Sequence, residues 1–399
     1  MTKRFKATLI IGLVLLINLR CREPYVLPAS AKNVNVLVVE GVINTGSDST
    51  IIRLSRTVKL TDTINSIPEK GATVTLADPS GSALASFTEI RNGYYYTPGL
   101  NNNAVPDIYR LKIVTSAGKT YLSDVLPVKN SPPIDSLTFG IKSNGIEIYS
   151  AAHDPTNNSR YYRWDYKENW IIHSAYQSDL EALTTPIDTI ITRPPQDEIF
   201  ICWANVASST IVLNSTATLS QDVITHNSIA FVASSSEKLS NEYCITVNQY
   251  ALTKDAFNYW QNIKKNTEQL GSIFDAQPSQ INGNIHSVNN PSEPVIGFIT
   301  MGRYAQKRLF IGNSQLPALW FEQIQNPYPG CALDSLYFVD PARNKTNSTL
   351  ILYPGFETPL LPISNQQEVL IGYSASRSVC VDCRFRGTTT RPSFWIDKF

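Results

Sequence analysis

Charged residues are scarce in this chain, making up 17% of its 399 residues, against roughly a quarter in typical soluble domains. The formal net charge is only +1. A chain with so little net charge has no overall electrostatic field that would attract nucleic acid or an acidic membrane surface. We therefore predict no nucleic-acid partner. Hydrophobic residues make up 42%, enough for a substantial core in about two domains.

A long hydrophobic run is also missing from the start of the chain. The apolar stretch from Ala7 to Leu19 covers about 13 residues, short of the roughly 20 that a membrane-spanning helix needs. Lys3, Arg4 and Lys6 precede it and Cys21 follows it. This order is typical of a secretory signal whose removal leaves a cysteine at the new amino end.

We therefore predict a signal peptide over residues 1–20, a tether over 21–33 and lipid attachment at Cys21. Membrane anchoring through that lipid is the expected consequence, with the membrane face left open. The residues before the cysteine are Asn18, Leu19 and Arg20, where lipoprotein signals usually have small side chains. Plain secretion without a lipid is the alternative.

Known catalytic motifs are absent from the sequence. No phosphate-binding G-x-x-x-x-G-K-[ST] loop and no G-x-S-x-G nucleophile turn occurs. The 4 histidines are scattered without metal-ligand spacing. Asp154, Asp165 and Glu168 could form a glycosidase pair, but sequence cannot give their separation, and surface or turn acids are the simpler interpretation. We predict no cofactor, no metal and no catalysis.

Cysteine usage indicates an oxidising compartment. Five cysteines remain if Cys21 carries lipid, so at most two disulfides can form, and the pairing is open. We favour joining Cys331 to Cys380 or Cys383, because these three lie in the last part of the chain. A metal half-site or a redox motif at Cys380-x-x-Cys383 is the alternative. The disulfide candidates are Cys202, Cys244, Cys331, Cys380 and Cys383.

Short alternating runs fill residues 34–129. The segment Thr73–Ala77 alternates apolar and polar residues and leads into the turn sequence Asp78-Pro79-Ser80-Gly81. About seven such runs predict an antiparallel β-sandwich of the immunoglobulin-like or transthyretin-like kind. The consecutive prolines Pro132 and Pro133 mark its end, since they cannot continue a ladder.

Residues 134–399 predict a larger, β-rich domain with one clear helix. Thr253 is a suitable N-cap and Gly271 a suitable end. Ala256, Phe257, Trp260, Ile263 and Leu270 recur between them at near-helical spacing. This stripe is most simply explained by packing on a sheet. The long polar segment 272–294 is predicted to be a loop, of the kind that is often functional.

An aromatic ladder lies in one of the predicted strands. Tyr162, Trp164 and Tyr166 fall on one face at period two, with Arg163 and Asp165 on the other. Core packing is the simpler explanation of the three rings. A platform on which a sugar stacks is the alternative, so all three are candidate ligand residues.

Several short blocks along the chain together resemble one family. They are CREPY (21–25), VVEGVI (38–43), IIRLSRT (51–57), GATVTLAD (71–78), PPIDSL (132–137), QYALT (249–253), YW (259–260), KNTEQ (265–269), GSIFDAQP (271–278), GNI (283–285), CVDCR (380–384) and PSFW (392–395). The chain is similar to domain of unknown function 4249, a family of Bacteroidota outer-membrane lipoproteins.

The resemblance implies a protein that is lipid-anchored in the outer membrane, often encoded beside TonB-dependent outer-membrane receptors, with no assigned catalytic residues. Our leading hypothesis is therefore a non-enzymatic, envelope-anchored binding or accessory partner of such a receptor. A hydrolase of surface polymers and a structural adhesin or assembly factor are the alternatives. A receptor partner is an inference from gene neighbourhood rather than from any site in the chain.

Overall fold

The structure is a computed structural model that describes residues 35–59, 62–101, 106–183, 189–268, 283–340, 345–346 and 357–396. The predicted signal, the tether and Cys21 lie outside these residues, as does Gly271. None of the helices in the described ranges combines the length and apolarity required to span a bilayer.

The predicted mainly β architecture is confirmed, because the described residues form 27 strands and only a few helices. The first nine strands are β1 Leu37–Glu40, β2 Val42–Ile43, β3 Thr50–Arg56, β4 Ile67–Pro68, β5 Thr73–Ala77, β6 Ala83–Arg91, β7 Tyr94–Thr97, β8 Arg110–Val114 and β9 Thr120–Ser123.

The middle of the chain holds the longest strands. They are β10 Ile134–Lys142, β11 Gly145–Asp154, β12 Tyr161–His173, β13 Leu180–Leu183, β14 Thr189–Thr192, β15 Ile201–Ala207, β16 Val212–Ser215, β17 Asp222–Ala233 and β18 Glu242–Ala251. Helix α1, Lys254–Glu268, follows directly.

The last part of the chain alternates between short and long strands. These are β19 Ile285–Ser287, β20 Val295–Ile296, β21 Thr300–Met301, β22 Ala305–Gly312, β23 Asp334–Tyr337, β24 Val339–Asp340, β25 Lys345–Thr346, β26 Glu357–Ser364 and β27 Leu370–Arg377. Helix α2, Ser378–Val381, is a single turn. Short 3-10 turns occur at Pro195–Asp197, Glu237–Leu239, Asn313–Gln315, Ala318–Trp320 and Cys383–Phe385.

Eight strands of the predicted sandwich, β1 and β3 to β9, join β19 and β20 in one ten-stranded sheet, in the order β19-β9-β8-β5-β6-β7-β3-β1-β20 with β4 beside β3, while β2 pairs with β21. Both end strands come from residues 285–296, so the two edges of the sheet approach each other. Asn284 N donates to Gly297 O at 3.3 Å across this gap. The sheet is therefore nearly closed into a barrel.

Residues 285–301 belong to the first core although they lie far along the chain. Ile285, Val295, Ile299 and Met301 are buried in the same cluster as Leu37. The segment predicted to be a loop, 272–294, thus includes strand β19 in its described part, and β20 follows. Strand β20 pairs with β1 and strand β19 pairs with β9, because the edge strands β1 and β9 would otherwise have unpaired backbone groups.

A second core forms between two further sheets. One sheet has the order β10-β11-β17 and the other β15-β12-β18-β22, with β16 also paired to β12. Ile148 of β11, Val232 of β17, Trp164 of β12 and Ile245 of β18 are all buried in one cluster. Alternate residues of each strand face this core, so the opposite residues face outward.

Two disulfides connect the last part of the chain to itself and to β15. Cys331 is bonded to Cys380, and Cys202 to Cys383. The expected bridge from Cys331 is confirmed, with Cys380 as its partner. Cys244 takes part in neither bridge and is buried on β18. The Cys380-x-x-Cys383 motif is thus neither a metal half-site nor a dithiol pair, because each cysteine bonds to a distant partner.

The predicted helix is confirmed from its start. Thr253 Oγ1 accepts a hydrogen bond of 3.1 Å from Ala256 N, as an N-cap should. Asp255 lies in the first turn, where its charge complements the helix dipole. Ala256 and Tyr259 are buried. Within the predicted stripe Ala256 is buried, whereas Phe257, Trp260 and Ile263 are half-buried. Trp260 packs on the sheet through Arg163 and also borders a cleft, as Ile263 does. Leu270 lies outside the described residues.

Candidate functional site

The aromatic ladder of β12 is mostly core. Tyr162 and Trp164 are 0% and 1% exposed, and Trp164 Nε1 donates to Gln249 Oε1 at 3.1 Å. The Tyr162 hydroxyl donates to Asp222. Because these rings are covered by the second core, they cannot serve as a sugar platform, and that alternative is wrong for them. Tyr166 is half-buried at the border of the same core.

The opposite face of β12 carries the polar residues that alternate with the ladder. The antiparallel register places Arg163 opposite Tyr250 and Asp165 opposite Asn248 of β18. Directly opposed residues share a face and lie within side-chain contact of each other. The outward face of the sheet therefore presents a cluster of a cation, a carboxylate, an amide and an aromatic ring.

Helix α1 covers one side of this cluster. It begins directly after β18, so it turns back over the sheet it has just left. The Arg163 guanidinium carbon lies 4.3 Å from the Trp260 ring centroid and 4.6 Å from the Tyr250 ring centroid. Both distances are within the range of cation–π attraction. Arg163 is therefore held between a helix residue and a strand residue.

These side chains border a cleft of about 560 Å³, which we call the Arg163 cleft. Its walls are β12 and β18, α1, strand β1 and the segment that follows β20. We define it by the residues Arg163, Asp165, Tyr250, Trp260 and Tyr304. The volume is within the range of about 300–1,000 Å³ that small-molecule sites occupy.

Asp165 is the most heavily bonded group in the cleft. Its Oδ1 accepts from Asn248 Nδ2 at 2.9 Å and from the Tyr250 hydroxyl at 3.4 Å. Its Oδ2 accepts from Arg163 Nη2 at 3.3 Å. Asn248 is fixed in turn by Gln306 Nε2, which donates to its Oδ1 at 2.9 Å. The carboxylate is therefore locked in position by three donors.

The tyrosines of the cleft remain protonated near neutral pH. Burial raises the pKa of Tyr304 to about 12, with a further contribution from its hydrogen bond to Asp48. Burial likewise raises the pKa of Tyr259 to about 12, and the charge of Glu40 adds to this. The pKa of Tyr250 is also raised, by burial and then by Asp165. All three phenols are neutral hydroxyl groups.

One family model, described as a domain of unknown function (DUF4249), matches residues 22–308. The chain belongs to this family. No curated protein matches the chain. The matched range includes the nearly closed sheet, most of the second core, α1 and every residue that defines the Arg163 cleft.

The histidines of this family member lie apart. His153 Nδ1 is 2.8 Å from Asp135 Oδ2, and His286 Nε2 is 3.4 Å from Asp124 Oδ1. His226 stacks on Tyr149, and His173 on Phe200. Within the part of the chain that the structure describes, no group of three or more His, Cys, Asp or Glu residues could hold a metal ion.

The three carboxylates considered from sequence serve separate purposes. Asp154 accepts hydrogen bonds from the backbone of Thr156 and Ser159 and so closes a turn. Glu168 accepts from Lys238 Nζ at 2.6 Å inside the second core, while Asp165 lies in the cleft. Asp165 and Glu168 face opposite sides of β12, because their positions differ by an odd number.

Sequence reasoning missed the site because its residues come from strands distant in the chain. Asn248 and Tyr304 lie in no motif, and Tyr250 lies only in the family block QYALT (249–253). One signal could have found part of the site: the period-two alternation of a strand places Asn248 and Tyr250 on one face, as it does Arg163 and Asp165. The register that joins these faces is set by tertiary structure.

Proposed function

We propose that the protein is an exported, lipid-anchored binding protein of the cell envelope, acting without catalysis as an accessory partner of a TonB-dependent outer-membrane receptor. The Arg163 cleft carries the binding part of this proposal. It combines aromatic faces, neutral hydroxyls and a fixed ion pair in a concave space of about 560 Å³.

The two disulfides support export. Cys202, Cys380 and Cys383 are each 0% exposed. Disulfides persist in the periplasm and at cell surfaces and are rare in the cytosol. They fit the signal-like start that ends at Cys21, and the outer membrane is the proposed site of anchoring.

The chemistry of the cleft supports binding rather than reaction. Asp165 is the carboxylate best placed to act as a base, yet donors from Arg163, Asn248 and Tyr250 occupy its oxygens. A carboxylate held by three donors offers little free lone-pair capacity for a substrate proton. We therefore assign the cleft no reaction.

The receptor partnership is tested by affinity purification of a tagged copy from membranes extracted with mild detergent. The proposal expects a TonB-dependent receptor to co-purify with the protein, and to be absent from a parallel purification of an unrelated tagged lipoprotein. Recovery of the protein alone and monomeric would contradict the partnership.

A further inference from the structure

We propose that the Arg163 cleft binds an uncharged saccharide. This inference rests on the proposed function, because it names the ligand of the same cleft. Three properties of the cleft favour such a ligand: its compensated charges, its aromatic surfaces and the unused donors of Arg163.

The charges at the cleft are already compensated. Arg163 is paired with Asp165 at 3.3 Å, and Glu40 with Arg53 at 3.1 Å. An anionic ligand would therefore find no uncompensated cation among the described lining residues, and it would meet the carboxylates of Asp165 and Glu40. Electrostatics thus disfavours an anion.

A cationic ligand is disfavoured by the way Arg163 is held. The ring faces of Tyr250 and Trp260 that could attract a cation already contact the guanidinium. A second positive charge placed there would be repelled by the first. An uncharged ligand is the remaining class.

Aromatic side chains line much of the cleft. The rings of Tyr250 and Tyr304 lie 5.6 Å apart and are tilted by 42°, and those of Tyr259 and Phe298 lie 5.2 Å apart. Aromatic faces carry partial negative charge, which suits the weakly positive C–H groups on the apolar face of a sugar ring. Tilted rings suit a ligand made of more than one ring.

Hydrogen bonding favours a ligand with adjacent hydroxyls. A guanidinium carries several N–H donors in a planar fork, and one described bond, from Nη2 to Asp165, uses this capacity. Arg163 Nε has no hydrogen-bond partner among the described residues, but it is buried and a ligand cannot reach it, so a bond to a ligand would use the terminal nitrogens of the guanidinium. A polyhydroxylated ligand can accept from such an edge, whereas a purely apolar ligand would leave its donors unpaired.

The inference is tested by calorimetric titration of the full mature chain with maltotriose, xylotriose, mannotriose and diacetylchitobiose, and with trigalacturonate as an anionic comparison. We expect one-to-one binding of at least one neutral probe. Trp260→Ala should weaken that binding by about tenfold, since it removes an aromatic side chain from the lining of the cleft and one of the two rings that hold Arg163 in place. Tyr304→Ala should weaken it similarly and provides a second variant if the first folds poorly.

Phe257→Ala is the matched control. Phe257 lies on the same helix, but its ring contacts Tyr161 at 5.2 Å and does not border the cleft. Its removal should leave saccharide binding unchanged. Equal losses in all three variants would overturn the assignment to the cleft.

Two further outcomes separate this inference from the proposed function. If no neutral probe binds while the receptor co-purifies, the saccharide assignment is overturned and the receptor partnership stands. Tighter binding of trigalacturonate than of every neutral probe would also overturn the assignment, because it would show that the cleft selects negative charge.

Discussion

The Arg163 guanidinium lies 4.3 Å from the centre of the Trp260 ring, which joins the outer face of strand β12 to helix α1. The helix is also attached by its buried residues Ala256 and Tyr259, by the contact of Phe257 with Tyr161, and by hydrogen bonds of Lys264 and Glu268 to the backbone of Ile211. The contact of Arg163 with Trp260 therefore shapes the cleft and also contributes to docking of the helix. Its removal should affect both stability and binding.

Replacing Arg163 by lysine should lower the free energy of unfolding by about 1 kcal/mol, because an ammonium cannot stack as a plane between two rings. Arg91→Lys is the matched control: Arg91 stacks on a single ring, that of Tyr94 at 3.8 Å, and Arg91 is exposed. Denaturant titration of both variants measures the difference. Equal losses of unfolding free energy in the two variants would contradict a special role for the stacking of Arg163 between Tyr250 and Trp260.

Glu293 attaches the segment between β19 and β20 to strand β9. Its carboxylate accepts from Lys119 Nζ at 3.0 Å and from the Tyr121 hydroxyl at 2.7 Å. Burial would raise the pKa of Glu293, but the bonds from Tyr121 and Lys119 outweigh burial and the pKa is lowered. Glu293→Gln should therefore lower the free energy of unfolding by about 1 kcal/mol at neutral pH.

The sign of the pH dependence follows from that lowered pKa. Stabilisation by Glu293 is present above the pKa that the group has in the unfolded chain and is lost as the pH falls through its folded-state pKa. The stability difference between wild type and Glu293→Gln should thus shrink on acidification, as measured by denaturant titration at a series of pH values. A difference that grows towards acid pH would contradict the assignment.

The two disulfides should differ in their contribution to stability. The Cys202–Cys383 bridge spans 181 residues and the Cys331–Cys380 bridge spans 49. In the chain-entropy model the longer loop contributes about 1 kcal/mol more. Paired alanine substitutions of each bridge, compared by thermal unfolding, check this order. The reverse order would show that strain or residual structure outweighs loop entropy.

Closure of the first sheet depends on Gly297, which has φ of +142°. A Cβ there would lie 2.2 Å from the carbonyl oxygen of Val39, so β20 could not stay beside β1. Gly297→Ala should cost about 2 kcal/mol or more. Gly118→Ala, at φ of +78° but with open space around it, should cost about 1 kcal/mol. Thermal unfolding of the two variants provides the comparison, and equal costs would contradict the steric argument.

Local features of the fold could be predicted from the sequence. Hydrogen bonds within residues 78–82 confirm the turn at Asp78, whose Oδ1 accepts from Ser80 N at 2.8 Å. The N-cap at Thr253 is also confirmed. Such features depend on residues a few positions apart, where the chemistry of capping and turns decides the outcome.

Features that join distant segments could not be predicted. No local pattern in residues 285–296 predicts that they complete the sheet that contains Leu37. Strand pairing depends on which sheet edges have unpaired backbone groups in the folded chain. The ladder of β12 shows the same limit. Core packing of its rings is the simpler prediction and is confirmed for Tyr162 and Trp164, but the alternation does not predict that Arg163 borders a cleft.

Native mass spectrometry of the protein, extracted from membranes in mild detergent, tests the central claim most directly, since one spectrum gives the mass of the mature chain and of any companion. The account predicts a chain that starts at an acylated Cys21 and is bound to a receptor. A chain that keeps residues 1–20, carries no lipid and has no companion would contradict it.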